Sequence, residues 1–334
     1  MGIFSDRVTD FLTSRGFHCE HETPAGLYIP DGIETFLATS SDGLVSRRIV
    51  LISPEAKTDE EAARLSADAW KAVSMLKDSD GIMPLILTED RWNTSGIMSQ
   101  ERLLAHMEIF FPIYARNCEV RRIDKKTAAE FLEQTHSYGD ASCKFRYGLF
   151  LKRHTGHIAA GIEVERASHK NVPKEICPGT LVAAATFSNA RKWIKGDKVI
   201  RSYEWTRYAS LPGLRVNGGM GKLLKAFIKD VSPDDIMSYA DLEWSEGKVY
   251  EQLGFRLEGY KDPVCFRIDT NTWQRSVHRG QKLTPQYTLN SLAESSDKDE
   301  CAQRYEEMTP EHNSTVFFRN FGSAKYRLKL TEYE

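Results

Sequence analysis

The sequence contains no long hydrophobic run, because its longest apolar stretches, such as Leu181 to Phe187, have fewer than ten residues. A helix that crosses a bilayer needs about 20 apolar residues, so we expect no transmembrane helix. The N-terminus also lacks the basic segment and apolar stretch of a secretory signal. With 334 residues, 41% of them apolar, the chain can bury two cores, and we expect a soluble cytoplasmic protein.

Cysteine is sparse, and its spacing argues against a metal framework. There is no CxxC pair and no Cys/His cluster at zinc-ligand spacing. We interpret the six cysteines, at least 25 residues apart, as reduced thiols and expect no metal site: Cys19, Cys118, Cys143, Cys177, Cys265 and Cys301. Internal repeats and low-complexity tracts are also missing, so a repeat architecture is not expected.

The small net charge of −2 hides an uneven distribution along the chain. Residues 1–115 carry a net charge of −8, residues 116–230 carry +11 and residues 231–334 carry −5. A basic segment of this size can face a polyanion or an anionic cofactor. Its charge can equally be neutralised by the acidic flanks on folding, and the sequence leaves both alternatives open.

The hydrophobic pattern of the first 116 residues predicts an α/β unit. The predicted order is a helix over 4–15, strands over 17–20, 26–29, 34–39 and 47–53, a helix over 59–77, a strand over 83–87 and a helix over 100–110. This unit coincides with the acidic block. We therefore predict a boundary near residue 116, with domains over 1–116 and 117–334.

The hydrophobic pattern of the second domain also predicts a mixture of strands and helices. We predict strands over 119–122, 147–152, 157–164, 181–187, 199–208, 236–240, 255–260 and 264–268, a strand pair within 315–328, and helices over 126–136, 221–229 and 248–253. Residues 165–179 are expected to form a loop, and the polar, acidic residues 291–312 a linker or surface excursion.

The most informative segment is a glycine-rich turn between a predicted strand and an amphipathic helix. Three glycines fall within four residues, at Gly218, Gly219 and Gly221, and Arg215 and Lys222 add positive charge. Backbone amides at such a turn can approach a ligand closely, and the helix N-terminus is partially positive, so the pattern favours phosphate. The turn is neither a Walker motif nor the dinucleotide fingerprint GxGxxG.

A second segment, some 20 residues on, includes Tyr250-Glu-Gln-Leu-Gly-Phe255. Together the two segments resemble the GNAT acyltransferase superfamily, in which a loop Arg/Gln-x-x-Gly-x-Gly binds the pyrophosphate of acyl-CoA and a later helix ends in Tyr-Glu-x-x-Gly-Phe. The second pattern is matched fully, and the first approximately. Val216 occupies the Arg/Gln position if Gly219 and Gly221 are the two glycines, and the glycines fall one place off if Arg215 is that residue. The resemblance implies acetyl-CoA or a related acyl-CoA, bound by Arg215, Val216, Asn217, Gly218, Gly219, Met220, Gly221 and Lys222.

A narrower resemblance rests on Ser238-Tyr-Ala-Asp241, on Tyr203-Glu-Trp-Thr-Arg207 and on His136-x-x-Gly139. These segments look like the GNAT-like module of phage proteins related to the Mom DNA-modification protein of phage Mu. The likeness covers residues 118–270, and Phe318 to Tyr326 resemble the module's closing hairpin. It implies acyl transfer to an amine in a bacterial or phage-infected cytoplasm, with double-stranded DNA as a partner through the basic 116–230 block.

The resemblance also implies catalytic roles. Glu204 matches the carboxylate that takes a proton from the attacking amine, and Tyr250 the acid that protonates the leaving thiolate. Asp241 matches an active-site aspartate of Mom-like proteins, and His136 is a candidate base or substrate contact. The alternatives are a surface salt bridge with Arg207 or Arg201 for Glu204 and packing under the cofactor for Tyr250. For Asp241 the alternative is a cap on a helix that starts near Trp244, and for His136 it is a helix cap.

Three tryptophans near basic residues, Trp193, Trp205 and Trp244, are candidates to stack a flipped base, with core packing as the alternative. Each stands in or next to a segment already described.

Residues 1–116 resemble a Vsr-like, PD-(D/E)xK homing endonuclease domain that has lost its metal site. The chemistry requires a carboxylate on one strand and an acid-x-Lys pair on the next. The only candidate pair, Glu55-Ala-Lys57, follows Pro54, which should end the strand first. We therefore expect Asp31, Glu34 and Glu55 to be turn and surface residues, and no nuclease activity.

The predicted fold class is α/β (α+β), with a GNAT-like mixed sheet flanked by helices and preceded by a smaller αβββαβ nuclease-like domain. The leading predicted function is transfer of an acyl-derived group from acyl-CoA to an amine, possible acceptors including a DNA base. One alternative is an N-acetyltransferase acting on a protein or a small amine. The other is a non-catalytic DNA-binding remnant of a homing endonuclease.

Overall fold

The computed structural model describes residues 3–23, 26, 28–153, 176–278 and 314–332. The predicted strand over 157–164, most of the loop over 165–179, the segment 291–312 and Cys301 lie outside these residues. Inside them, no helix is long and apolar enough to span a membrane, and no group of three or more His, Cys, Asp or Glu side chains could hold a metal ion. The five cysteines described are free thiols.

The chain is a mixed α/β protein. Its described helices are α1 (Ile3–Thr13), α2 (Asp59–Asp80), α3 (Glu89–Thr94), α4 (Gly96–His106), α5 (Lys125–Thr135), α6 (Gly219–Val231) and α7 (Lys248–Gln252). Its described strands are β1 (Phe17–His21), β2 (Ile33–Ser40), β3 (Ser46–Ile52), β4 (Leu85–Thr88), β5 (Phe111–Tyr114), β6 (Cys118–Arg122), β7 (Phe145–Leu151), β8 (Leu181–Phe187), β9 (Arg191–Lys195), β10 (Lys198–Ser210), β11 (Leu214–Asn217), β12 (Asp235–Asp241), β13 (Arg256–Lys261), β14 (Cys265–Asp269), β15 (Arg275–Val277), β16 (Thr315–Arg319) and β17 (Ser323–Lys329).

Two compact units divide the chain, and neither is continuous in sequence. Unit 1 comprises Met1–Gly96, Asp241–Glu246 and Tyr260–Ser323, and unit 2 comprises Ile97–Ala240, Gly247–Gly259 and Ala324–Glu334. The division differs from a single boundary at residue 116 for two reasons. Strand β5 pairs in parallel with β11, which draws the chain before residue 116 into unit 2. Strands β14 to β16 form a sheet of their own that belongs to unit 1.

Unit 1 begins with the predicted αβββαβ order, formed by α1 to β4, which is confirmed. The sheet order is β1-β2-β3-β4, with β3 and β4 parallel. Helix α2 starts where the Thr58 side chain accepts the Glu61 N–H and ends at Gly81 in the left-handed conformation, so both ends are capped. The strand predicted over 26–29 is wrong: Tyr28 and Ile29 have no regular structure, since Pro30 and the turn after it leave no length for pairing.

The predicted closing hairpin within 315–328 is also wrong. Strand β16 pairs with β14, in the sheet β15-β14-β16, whereas β17 lies between β13 and β12 in the eight-stranded sheet. The chain changes sheets at Gly322, whose φ of 75° favours glycine. A Cβ there would overlap the carbonyl oxygen of Lys261, so no other residue fits this crossing.

A buried ionic cluster ties together separate segments of unit 1. Arg275 donates to Asp90 and, at 3.0 Å, to Glu243, and Arg91 Nε donates to Glu243 Oε1 at 2.8 Å. Asp90 is fully buried and Glu243 is 3% exposed. Burial alone would raise the pKa of Glu243, but the two guanidinium groups lower it to about 2.

The cluster predicts acid sensitivity of unit 1. Because the folded pKa of Glu243 lies below the ordinary value of a glutamate, its stabilisation is present above that value and is lost as the pH falls toward 2, on the order of 3 kcal/mol. Glu243→Gln should lower the urea midpoint at neutral pH and leave a smaller deficit near pH 3. Glu20→Gln, at an exposed carboxylate, is the control. Equal deficits at both pH values would contradict the assignment.

Unit 2 is built on the sheet β13-β17-β12-β10-β8-β7-β6, to which β9 adds by pairing with β10. Helix α6 packs on one face through Phe227, whose ring stacks on Phe187 at 3.9 Å. Helix α5 packs on the other face, where Phe131 and Leu132 form a cluster with Ala184 and Ala209. The pattern missed α3, β5, β9, β11 and β15, which are all six residues or shorter.

Candidate active site

The central sheet of unit 2 opens between two neighbouring strands. Strands β10 and β12 pair in parallel only from Ser202 to Glu204, with Glu204 opposite Met237. From Trp205 onward β10 pairs with β8, and the register of this pairing shifts between Trp205 and Arg207. A cleft at the carboxyl ends of parallel strands is a common place for a ligand.

Ser238, one residue past the last β10–β12 pair, spans this opening. Its hydroxyl bonds the carbonyl oxygen of Trp205 at 3.0 Å and the Tyr250 hydroxyl at 2.9 Å. The Tyr250 ring also stacks on the Tyr326 ring, with 5.3 Å between the ring centroids, and packs edge-to-face with Trp205, with 6.2 Å between the centroids. Burial raises the pKa of the Tyr250 phenol, so the group stays protonated near neutral pH. Ser238 belongs to the Ser238-Tyr-Ala-Asp241 segment, but its sequence context predicted no role for it.

The predicted glycine turn is a strand-to-helix turn, as expected. Gly218 is the N-cap of α6, with φ of 75° and no capping side chain. The Lys222 N–H donates to the Gly218 carbonyl oxygen at 3.0 Å, which is the first main-chain hydrogen bond of the helix. The amides of Gly219, Met220 and Gly221 come before it and therefore have no carbonyl partner within the helix. A Cβ on Gly219 would come within 2.9 Å of Tyr208 Oη, so this close approach requires glycine.

The glycine turn and Tyr250 belong to one continuous set of contacts in unit 2. A Cβ on Gly221 would lie 3.2 Å from Leu253 Cδ2, just beyond the helix that carries Tyr250. On the other side, Tyr208 meets Trp205 at 6.2 Å between ring centroids, and Trp205 meets Tyr250. The two segments that sequence analysis joined are therefore neighbours in the fold.

The two cations predicted for the turn differ in their contacts. The Lys222 ammonium donates to the carbonyl oxygens of Ala115 and Cys118, at 2.8 and 2.6 Å, and so ties the turn to the chain before β6. Arg215 is exposed, with its guanidinium 5.0 Å from the Phe110 ring centroid. Of the other predicted residues, Val216 is buried, and Asn217 and Met220 are half-buried.

Glu204 lies at the start of the opening. Its carboxylate is 25% exposed and 3.8 Å from Arg191 Nη2. This is a salt bridge, as the structural alternative expected, but its partner is Arg191 and not Arg207 or Arg201. Its main-chain N–H donates to Ser188 Oγ at 2.9 Å. A carboxylate that is partly exposed and set on a fixed strand can take a proton directly or through water.

Beside Glu204, a polar row that the sequence did not reveal crosses three strands. Thr186 on β8 is in register with Arg146 on β7 and Arg207 on β10. Burial lowers the pKa of Arg207, whereas the charges of Asp140 and Glu204 raise it. No local motif signals this row, because its members come from strands separated by up to 61 positions.

Asp241 and His136 have partners that fit their structural alternatives. Asp241 belongs to unit 1, where Oδ1 accepts the Glu243 N–H at 3.0 Å and Oδ2 lies 3.5 Å from Arg91. It caps a turn, because the next helix begins only at Lys248. His136 is the C-cap residue of α5, and its Nδ1 accepts the Tyr138 N–H at 3.1 Å. A catalytic role for either stays a prediction.

The three tryptophans differ in exposure. Trp205 is 3% exposed and stacked on Phe187, so it packs in the core. Trp244 is half-buried in unit 1, 5.4 Å from the Arg91 guanidinium. Trp193 is 36% exposed on β9 and is the one with a surface for a partner.

The carboxylates weighed for nuclease chemistry are surface and strand residues of unit 1. Asp31 and Glu55 are exposed, and Glu34 is half-buried on β2. Strand β3 ends at Ile52, so the Glu55-Ala-Lys57 sequence follows the strand, as predicted.

Comparison with known proteins gives a structural similarity but no sequence match. No family model matches the sequence, and no curated protein matches it. The chain is similar to the solved structure of a GNAT-family acetyltransferase from Bacillus anthracis, with 13% sequence identity and a TM-score of 0.27. That match covers 64% of this chain and 95% of the other.

Proposed function

We propose that unit 2 transfers an acyl group from an acyl-CoA thioester to an amine, and that the amine belongs to a DNA base. The observation that carries the proposal is the opening between β10 and β12. Glu204 lies at its start, and Tyr250 lies across it, in contact with the glycine turn through Trp205 and Tyr208. A base, an acid and a phosphate-binding turn are the parts that such a transfer requires.

The turn suits the pyrophosphate of CoA. Three amides precede the first main-chain hydrogen bond of α6, and no side chain caps them. Gly219 packs directly against Tyr208, where a Cβ would not fit, so glycine is needed for this turn geometry. Exposed Arg215 adds a positive charge at the adjoining strand, whereas Lys222 holds the turn to the preceding chain. When bound, the CoA thioester supplies the acyl group.

The side chains of unit 2 then divide the proton transfers. Glu204 removes a proton from the amine as it attacks, directly or through water, and Tyr250 donates one to the departing sulfur. Burial keeps the Tyr250 phenol protonated, and Ser238 fixes its position by a hydrogen bond. A nucleobase amine is a weak nucleophile, so alignment of the two substrates must supply much of the rate.

The test is mass spectrometry of nucleosides from the DNA of cells that express the protein. We expect one base to gain the mass of an acyl-derived group in cells with the wild-type chain. The gain should be absent with Glu204→Gln at equal protein level. Unmodified DNA together with acylated protein or small amines would leave the acyltransferase and remove the DNA base as the acceptor.

A further inference from the structure

A protruding hairpin in unit 2 has no role in the chemistry above. Strand β9 pairs with residues 198–202 of β10, with Lys195 opposite Lys198 and Ile194 opposite Val199. Every residue of β9 is exposed. Gly196, with φ of 58°, forms the turn together with Asp197. The hairpin, residues 191–201, is therefore a two-stranded ribbon with solvent along most of its length.

The hairpin combines positive charge with exposed apolar side chains. It contains Arg191, Lys192, Lys195, Lys198 and Arg201 against a single acid. Arg201 is 3.4 Å from Asp234, but Lys192 and Lys195 form no ion pair with any residue that the structure describes. Three apolar side chains stand among these cations, with exposures of 76% for Ile194, 58% for Val199 and 36% for Trp193.

Protection of a sheet edge does not explain this composition. Lysines on an exposed edge strand do prevent pairing with another chain. That purpose would be served by polar residues throughout, whereas Ile194 and Val199 form an exposed apolar pair across the ribbon. Lys198 donates to the Glu332 carbonyl oxygen at 3.3 Å, which leaves Lys192 and Lys195 as the hairpin cations without a partner among the described residues. Exposed apolar side chains among these cations indicate a contact surface for a polyanion that also has apolar edges.

We propose that this hairpin binds a groove of double-stranded DNA and so delivers the duplex to the cleft beside Glu204. The choice of DNA rests on the proposed function. The major groove, about 12 Å wide, admits a two-stranded ribbon. Lys192, Lys195 and Lys198 then contact phosphates on the groove walls, while Trp193, which lies on the same face of the ribbon as Lys198 and Glu204, faces base edges.

The charge at the tip favours a duplex over a membrane. A hairpin that inserts into lipid carries its apolar residues at the tip, because charged groups resist entering hydrocarbon. Here the tip is Lys195-Gly196-Asp197-Lys198, and the apolar side chains lie behind it. Charges at the tip are compatible with contact to the hydrated phosphate backbone of DNA and incompatible with insertion of the tip into a lipid bilayer.

The hairpin also leads to the catalytic carboxylate. Glu204 follows Lys198 by six residues on the same strand, about 20 Å along it. At the base of the hairpin, Arg191 contacts Glu204 at 3.8 Å. A duplex held along the ribbon therefore places a base about six pairs from the tip contact next to Glu204.

The test measures duplex binding by fluorescence anisotropy with the full chain and a short labelled DNA duplex. The double variant Lys192→Glu with Lys195→Glu should weaken binding at least tenfold and flatten the slope of log affinity against log salt by about 2. The control is Lys225→Glu with Lys229→Glu, the same charge change at exposed positions of α6, which should reduce affinity much less. Equal losses in the two variants, or an unchanged affinity in the hairpin variant, would overturn the proposal.

Two further measurements separate this proposal from the proposed function. Vesicles of phosphatidylcholine and phosphatidylserine test the lipid alternative, and loss of vesicle binding with intact duplex binding in the hairpin variant would overturn the proposal. Acyl transfer to a small amine should be the same in wild type and hairpin variant. Hairpin-dependent duplex binding without any acyl transfer by the wild type supports the surface and refutes the proposed chemistry.

Discussion

Glu204→Gln should lower the turnover of acyl transfer by about 10³-fold and leave the affinity for acetyl-CoA unchanged. The amide keeps the size of the side chain but cannot accept a proton from the attacking amine. Because Glu204 lies at the end of the β10–β12 pairing and is not part of the glycine turn, its loss should affect the transition state more than donor binding.

The matched control is Glu119→Gln, the same change of charge on β6, at a side chain that is 40% exposed and paired with Arg121. This variant should keep wild-type turnover. Release of CoA thiol, followed in single-turnover mode, gives the rate of the chemical step. If Glu204→Gln retains more than about a tenth of the wild-type rate, Glu204 is a salt-bridge partner of Arg191 and the base must lie elsewhere.

Tyr250→Phe should slow turnover by about 10²-fold with little change in acetyl-CoA affinity. The ring remains to pack on Tyr326 and Trp205, and Ser238 keeps its hydrogen bond to the Trp205 carbonyl. What is lost is the proton for the departing thiolate. Because burial raises the pKa of this phenol, the wild-type rate should fall with increasing pH only above the ordinary range of tyrosine.

A good leaving group separates the two possible roles of Tyr250. With an acyl donor whose thiol has a low pKa, protonation matters less, so the deficit of Tyr250→Phe should shrink severalfold. Tyr260→Phe, at a tyrosine that is 68% exposed, is the control and should have no effect. A deficit that is the same for both donors would mean that Tyr250 only packs beneath the donor.

Local sequence patterns predicted the elements that are formed by near neighbours. Apolar periodicity predicted every helix and strand of the αβββαβ order in unit 1, with one strand too many at 26–29. The turn at Gly218 followed from glycine spacing between a strand and a helix. Tyr250 was found because its motif is contiguous. In each of these cases, the residues that make up the pattern are close together in the sequence, within one or two neighbouring helical turns or strands.

Features built from distant segments were not predictable in this way. The row Arg146, Thr186 and Arg207 exists only because three strands are in register. The crossing at Gly322 sends two adjacent strands into different sheets, which a pattern of alternating residues cannot distinguish from a hairpin. Ser238 bridges the gap that forms where strands β10 and β12 diverge. This divergence is a tertiary feature, and the residues around Ser238 do not predict it.

The central claim is that the glycine turn binds an acyl-CoA. Calorimetric titration of the full chain with acetyl-CoA tests it most directly. The account predicts one site per chain, with a dissociation constant in the micromolar range. Affinity should fall about tenfold in Arg215→Ala but not in Lys225→Ala, and should be lost in Gly219→Val, provided that this variant melts near the wild-type temperature. Absence of binding by the wild type, or full binding by a folded Gly219→Val protein, would contradict the claim.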